Sequence, residues 1–145
     1  MERVKILLPA SFLFSTSLCI RITDLNYGGH VGNDVFMSLV HEARQQFLLC
    51  HGYTELNFAG TSLIMADAAI EYKHELAYAN EVRISVTANG FDKIGFDIYY
   101  LLEVKKDEKW TLAGKVKTGM LCFDYSAKKI VAVPQEAIEK LRVSN

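Results

Sequence analysis

Between positions 23 and 34 the chain reads "TDLNYGGHVGND", which puts two acids, two asparagines, one histidine and three glycines into twelve positions. Asp24 is a carboxylate able to attack a carbonyl or to activate a water. It is also able simply to bond backbone N–H groups of its own turn. His30 can hold a water, hand a proton to a leaving group, or serve only as a turn residue. Asn26 is either a turn residue or a polar contact for substrate. Gly28 and Gly29 let a ligand approach the backbone without Cβ atoms in the way. If a helix starts just after them, its unpaired N–H groups and positive dipole end would suit a developing oxyanion. Asn33 is the natural N-cap for that helix, with Asp34 in its first turn.

The flanking elements supply the positions. From residue 12 to 23 the chain alternates, with Phe12, Phe14, Leu18, Ile20 and Ile22 on one face and Ser15, Ser17, Cys19 and Arg21 on the other. A period of two predicts a strand feeding directly into the motif. After it, Val35, Phe36, Leu39, Val40, Ala43, Phe47 and Cys50 recur at three- and four-residue spacing, which predicts an amphipathic helix of about five turns stopped by Gly52. Four long strand patterns follow: "LIMADAAIEY", "EVRISVTANGF", "IGFDIYYLLEV" and "WTLAGKVKTGMLCFDY". The short polar links between them make the strands antiparallel neighbours, with "KKDEK" as a charged hairpin tip. Pro134 takes the first position of a closing helix, "PQEAIEKL". The helix stripe must be buried, and the sheet is its only large partner. The expected fold is α+β: one domain over residues 1–145, a curved antiparallel sheet wrapped around one long central helix.

Composition narrows the function. The 145 residues carry 16 basic and 17 acidic side chains, so no bulk field draws the chain to nucleic acid or an anionic membrane. No apolar run is long enough to span a bilayer, and the alternation from Ser11 argues against a secretory signal in the first twenty residues. Cys19, Cys50 and Cys122 form no CxxC pair and are expected to be reduced, buried hydrophobes in a cytoplasmic protein. His51 and His74 have no ligand-like spacing, so no metal is expected.

Element order and motif together resemble the hotdog-fold acyl-CoA thioesterases, in particular the 4-hydroxybenzoyl-CoA thioesterase-like branch. The resemblance covers nearly the whole chain. It rests on "ITDLNYGGHVGNDVFMSLVHEAR" and more loosely on "IEYKHELAYANEVRISV". The turn also resembles the Asp-x-Asn-x-His-Val-Asn-Asn pattern of acyl-carrier-protein thioesterases at Asp24, Asn26, His30, Val31 and Asn33. Here "YGG" lengthens the loop, and glycine replaces the first asparagine of the pattern at position 32.

The resemblance implies hydrolysis of an acyl thioester to free acid and thiol, with Asp24 as nucleophile or general base. It implies His30, Asn26 and Glu42 as further catalytic candidates, and Gly28, Gly29 and Asn33 as positioning groups. Glu42 has a structural alternative, an ion pair within the helix near His41 and Arg44. No cofactor is implied, since coenzyme A enters as part of the substrate, and acyl-carrier-protein thioesters are the other carrier class. Lys93, Arg83 and Lys73 are candidates for the coenzyme A phosphates, and Tyr53, Phe58, Met65 and Phe91 for an acyl tunnel or the core. A homodimer or homotetramer with sites at the dimer interface is also implied. The alternative function is a non-catalytic acyl-thioester-binding module on the same fold.

Overall fold

The computed structural model describes residues 1–143. Its elements in chain order are β1 (Phe14–Cys19), a 3-10 turn (Ile22–Asp24), α1 (Val35–Cys50), β2 (Ser62–Tyr72), β3 (Glu81–Asn89), β4 (Gly95–Lys106), β5 (Lys109–Asp124), β6 (Lys129–Ile130) and α2 (Gln135–Leu141). All strand pairings are antiparallel, in the order β1-β3-β4-β5-β2, with the short β6 beside β5. The sheet's inner face holds Val82, Ile84 and Val86 of β3 and Ile98, Tyr100 and Leu102 of β4. Helix α1 lays Phe36, Leu39, Val40, Ala43, Phe47 and Leu48 into the same core. This is the expected sheet curled around one long helix.

The β4–β5 hairpin turns on Asp107 and Glu108, both with positive φ, as a two-residue loop matched to strand twist requires. Tyr53, Phe58, Phe96 and Phe91 stack in sequence with ring centroids 5.0–5.4 Å apart. Tyr53 and Phe58 are therefore core residues, while Met65 on β2 is 40% exposed.

One buried charge crosses this core. Arg44 of α1 is 4% exposed. Its Nε donates to Glu55 Oε1 and its Nη1 donates to the Tyr100 hydroxyl, which in turn lies 2.9 Å from Thr118 Oγ1. The chain of contacts ties helix, α1–β2 loop and mid-sheet together, and it satisfies a guanidinium that burial alone would penalise. Burial also pushes the Tyr100 phenol above its ordinary range, so it remains a neutral hydrogen-bonding group.

Four local expectations are corrected. The first strand ends at Cys19, not 23, because the Arg21 N–H bonds the Asp24 carboxylate and folds the chain into a turn that leaves Ile22 70% exposed. Asp34, not Asn33, occupies the N-cap, while the Asn33 Oδ1 accepts only from the adjacent Asp34 N–H. Pro134 is the extended N-cap of α2, not its first helical residue. Of the three free cysteines only Cys122 is buried, because Cys19 lies on the outward face of an edge strand and Cys50 ends α1 at the surface. No helix among the described residues is long and apolar enough to cross a membrane.

Candidate active site

The site grows from the turn that ends β1. Asp24 is 5% exposed. Its Oδ2 accepts from the Arg21 backbone N–H at 2.8 Å and from Arg21 Nε at 3.4 Å, and its Oδ1 accepts from Nη2 at 3.3 Å. Burial alone would raise the carboxyl's pKa, but the bonds and charge of Arg21 outweigh it and hold the group below its ordinary value. Asp24 is thus ionised and fully engaged, which lowers its strength as a base.

Next comes a small hairpin. Leu25 and Val31 form an antiparallel bridge, Asn26 N–H donates to the His30 carbonyl at 2.8 Å, and Gly29 N–H donates to the Asn26 carbonyl at 3.1 Å. Tyr27, Gly28 and Gly29 form its three-residue loop, with Gly29 at φ +80°, the left-handed third position such loops require. The extra length of "YGG" is therefore a complete hairpin loop. Asn26 Oδ1 accepts from Gly28 N–H, which leaves its amide NH2 without a hydrogen-bond partner among the described residues. His30 pairs with Ala77, and Val31 N–H donates to the Leu76 carbonyl, which pins the hairpin to the β2–β3 connection.

The head of α1 follows at once. The Gly32 carbonyl accepts from Val35 and Phe36 N–H groups, whereas the N–H groups of Gly32 and Asn33 have no hydrogen-bond partner among the described residues. Unpaired donors at the positive end of a four-turn helix are what a carbonyl gaining negative charge needs. A Cβ at position 32 would stand 2.5 Å from Asp34 Oδ1, the end of an exposed side chain that can swing aside, so the contact does not by itself require glycine. Asp34 itself makes no capping bond.

Two grooves flank this helix. The one on the β1 side, about 470 Å³, has Cys19, Arg21 and Asp24 on one wall and Ser38 and Glu42 on the other. It brings together the two candidate carboxylates, although Glu42 accepts from Gln46 and the partner of both His41 and Arg44 is Glu55. The β2-side groove, about 290 Å³, runs from Asn33 and Phe36 to Tyr72, Lys73, His74 and Glu75. Tyr72 donates to the Asn33 carbonyl at 2.8 Å, and His30 Nε2 lies 3.3 Å from Glu75 Oε2. The candidates thus divide: Asp24 and Glu42 on the β1 side, Asn33 on the β2 side, with His30 joined to that side through Glu75.

Three cations expected to meet phosphates are not gathered. Arg83 pairs with Glu103 at 2.9 Å and lies over Trp110 at 4.2 Å. Lys93 follows the far end of β3, roughly 20 Å along the strand from Arg83. Lys73 alone reaches the β2-side groove. Residues not singled out from sequence are Glu55, Tyr72, Glu75 and Lys106, whose proximity depends on tertiary pairing, while Asp34 and His74 read from sequence only as a first-turn acid and a non-ligand. Among the described residues no three His, Cys, Asp or Glu side chains converge as a metal site would require.

Known structures share this fold. A thioesterase-superfamily protein from Jannaschia sp. CCS1 superposes with TM-score 0.80 at 15% identity, covering 92% of this chain and 83% of that one. The 1,4-dihydroxy-2-naphthoyl-CoA thioesterase from Synechocystis gives TM-score 0.77 at 18% identity, with coverages of 88% and 94%. A 4-hydroxybenzoyl-CoA thioesterase mutant complexed with 4-hydroxybenzoyl-CoA gives 0.80 at 12% identity, with coverages of 89% and 98%. At these identities the likeness establishes the hotdog fold. No curated protein sequence matches at a significant level. The family model of the thioesterase-like superfamily matches residues 20–141, from the end of β1 through α2, and the chain belongs to that superfamily of thioester hydrolases.

Proposed function

We propose that the protein hydrolyses an acyl thioester, with coenzyme A or an acyl carrier protein as the thiol carrier, at the junction of hairpin and α1. The observation that carries this reading is the pair of unpaired N–H groups at Gly32 and Asn33. The thioester oxygen accepts from the exposed Asn33 N–H, with Gly32 behind it, and Gly28 and Gly29 leave the approach open. Water attacks the carbonyl carbon and gives its proton to His30, which Glu75 orients. The tetrahedral intermediate collapses, the C–S bond breaks, and the thiolate takes up a proton. The unpartnered amide NH2 of Asn26, across the hairpin from His30, positions the water. In this reading Asp24 holds the turn that presents the hairpin.

A second reading keeps Asp24 as nucleophile or general base. Its ionised state and its place opposite Glu42 in the β1-side groove favour that role, provided Arg21 releases it. A third reading is an acyl-thioester-binding module without turnover. It is supported by the engagement of Asp24 with Arg21, Glu42 with Gln46 and Glu75 with His30. Thiol release measured over a panel of acyl-CoAs separates these readings: saturable binding without release supports the module and contradicts hydrolysis.

The partner is a second copy of the chain. β2 is an edge strand whose residues 65–68 are exposed, and pairing two such edges closes both sheets. Tyr72 at the end of β2 lines the β2-side groove, so the second copy would complete that wall, and pairing of dimers gives the tetramer. The three free thiols accord with a reducing, cytoplasmic setting.

A further inference from the structure

The end of β2 reaches both halves of the site. Tyr72 is the last residue of that strand and lies opposite Gly114 of β5. The N–H groups of Lys73 and His74 both donate to the Ala113 carbonyl, at 2.9 and 3.0 Å, so the chain beyond the strand stays pinned to the sheet. Three residues past Tyr72, Glu75 holds His30. Tyr72 itself turns toward α1, where its ring meets Phe36 edge-on with centroids 5.1 Å apart. Phe36 is buried and packs over Gly114, where a Cβ would come within 3.3 Å of its ring. The glycine opposite Tyr72 thus makes room for the first turn of the helix.

One bond ties Tyr72 to the helix head. In an ideal first turn the Met37 N–H would reach the Asn33 carbonyl, but it donates to Asp34 at 3.2 Å. The Asn33 carbonyl accepts instead from the Tyr72 hydroxyl at 2.8 Å. Burial and the charge of Asp34 push the Tyr72 phenol above its ordinary range, so the hydroxyl keeps its proton. Asn33 stands outside the helix, after a glycine whose backbone is permissive. Its carbonyl and its unpaired N–H flank one Cα, so a hold on the first limits the swing of the second.

We infer that Tyr72 is a positioning residue for thioester hydrolysis: its hydroxyl, acting through the Asn33 carbonyl, aims the Asn33 N–H at the thioester oxygen. The inference rests on the hydrolytic reading of the helix head and names the side chain that sets its oxyanion donor. A donor held in place stabilises the charge that develops on the oxygen, so its effect falls on kcat. Binding spread over the acyl chain and the carrier is left nearly as it was.

The test compares wild type with Tyr72→Phe, which keeps the ring on Phe36 and removes only the hydroxyl. Thiol release is followed with acetyl-, hexanoyl- and benzoyl-CoA. Infrared difference spectra are taken of the isotopically labelled ketone analogues of the same three, in which CH2 replaces the thioester sulfur and no C–S bond can break. Loss of one hydrogen bond should lower kcat about five- to tenfold, keep KM within about twofold and move the melting temperature by no more than about 2 °C. The carbonyl band of the bound ketone should lie at higher frequency in Tyr72→Phe than in wild type, because its oxygen accepts a weaker bond. A purely structural role predicts an unmoved band, with any loss of kcat following the loss of melting temperature, and that result overturns the inference. Unchanged kcat, where wild type turns over, overturns it as well. If wild type releases no thiol from any of the three yet the band moves in Tyr72→Phe, the hold of Tyr72 on the donor stands and the hydrolytic reading falls.

Discussion

Replacing Asp24 with asparagine separates a turn-holding carboxylate from a catalytic one. In the wild type Asp24 accepts one backbone N–H at 2.8 Å and two longer bonds from a guanidinium that is 75% exposed. Asparagine keeps an oxygen for the N–H but turns an amide NH2 toward the guanidinium. The exposed ion pair is worth little after solvent screening, so the loss is about 1 kcal/mol, or a fall in melting temperature of about 2–4 °C. The pH dependence has a fixed sign. The folded-state pKa lies below the ordinary 3.8, so the carboxylate's stabilisation is complete above that value and is lost as pH falls through the folded value. Wild type and variant should therefore converge in stability once the pH has fallen through the lowered folded-state value. Thermal melts across pH, paired with thiol-release kinetics, are the assay. Turn-holding predicts a loss in kcat/KM of no more than about tenfold, with the small drop in melting temperature. A loss beyond about a hundredfold in kcat at unchanged stability is the signature of a lost base and would refute the turn-holding role.

Other perturbations probe the scaffold. Arg44→Met removes the buried link from Glu55 to Tyr100; Glu55 is a quarter exposed and can rehydrate, so the cost is about 2–3 kcal/mol by chemical denaturation, below the usual range for a broken buried pair. Gly29→Ala forces a side chain to φ +80° with no steric neighbour, so it should lose about 1 kcal/mol through backbone strain alone, read from its denaturation midpoint. Ala66→Arg on the exposed β2 edge should shift the sedimentation of a dimer toward monomer, and an unchanged assembly would remove that edge from the interface.

Much of the architecture was legible because burial follows period. The two-residue alternation around Phe14, the α1 stripe and the long strand runs each face one core, and the Asp107–Glu108 turn lies where charge interrupts apolar sequence. Boundaries were less legible, because single hydrogen bonds decide them. Alternation continues to Ile22, yet one carboxylate bond to the Arg21 N–H turns the strand and exposes that side chain. The position of Asp24 within the motif could be read, but its clasp by a residue three positions earlier could not. Glu55, Glu75 and Lys106 meet Arg44, His30 and His74 only after the sheet register and loops are set, and local sequence carries no trace of those encounters.

Hydrolysis at the head of α1 with His30 as the base is decided by single-turnover thiol release in wild type and His30→Gln. Wild type should release free thiol from an acyl-CoA, and the chemical step should fall by about a hundredfold or more in the variant with coenzyme A affinity preserved. A variant that releases thiol at the wild-type rate would contradict it.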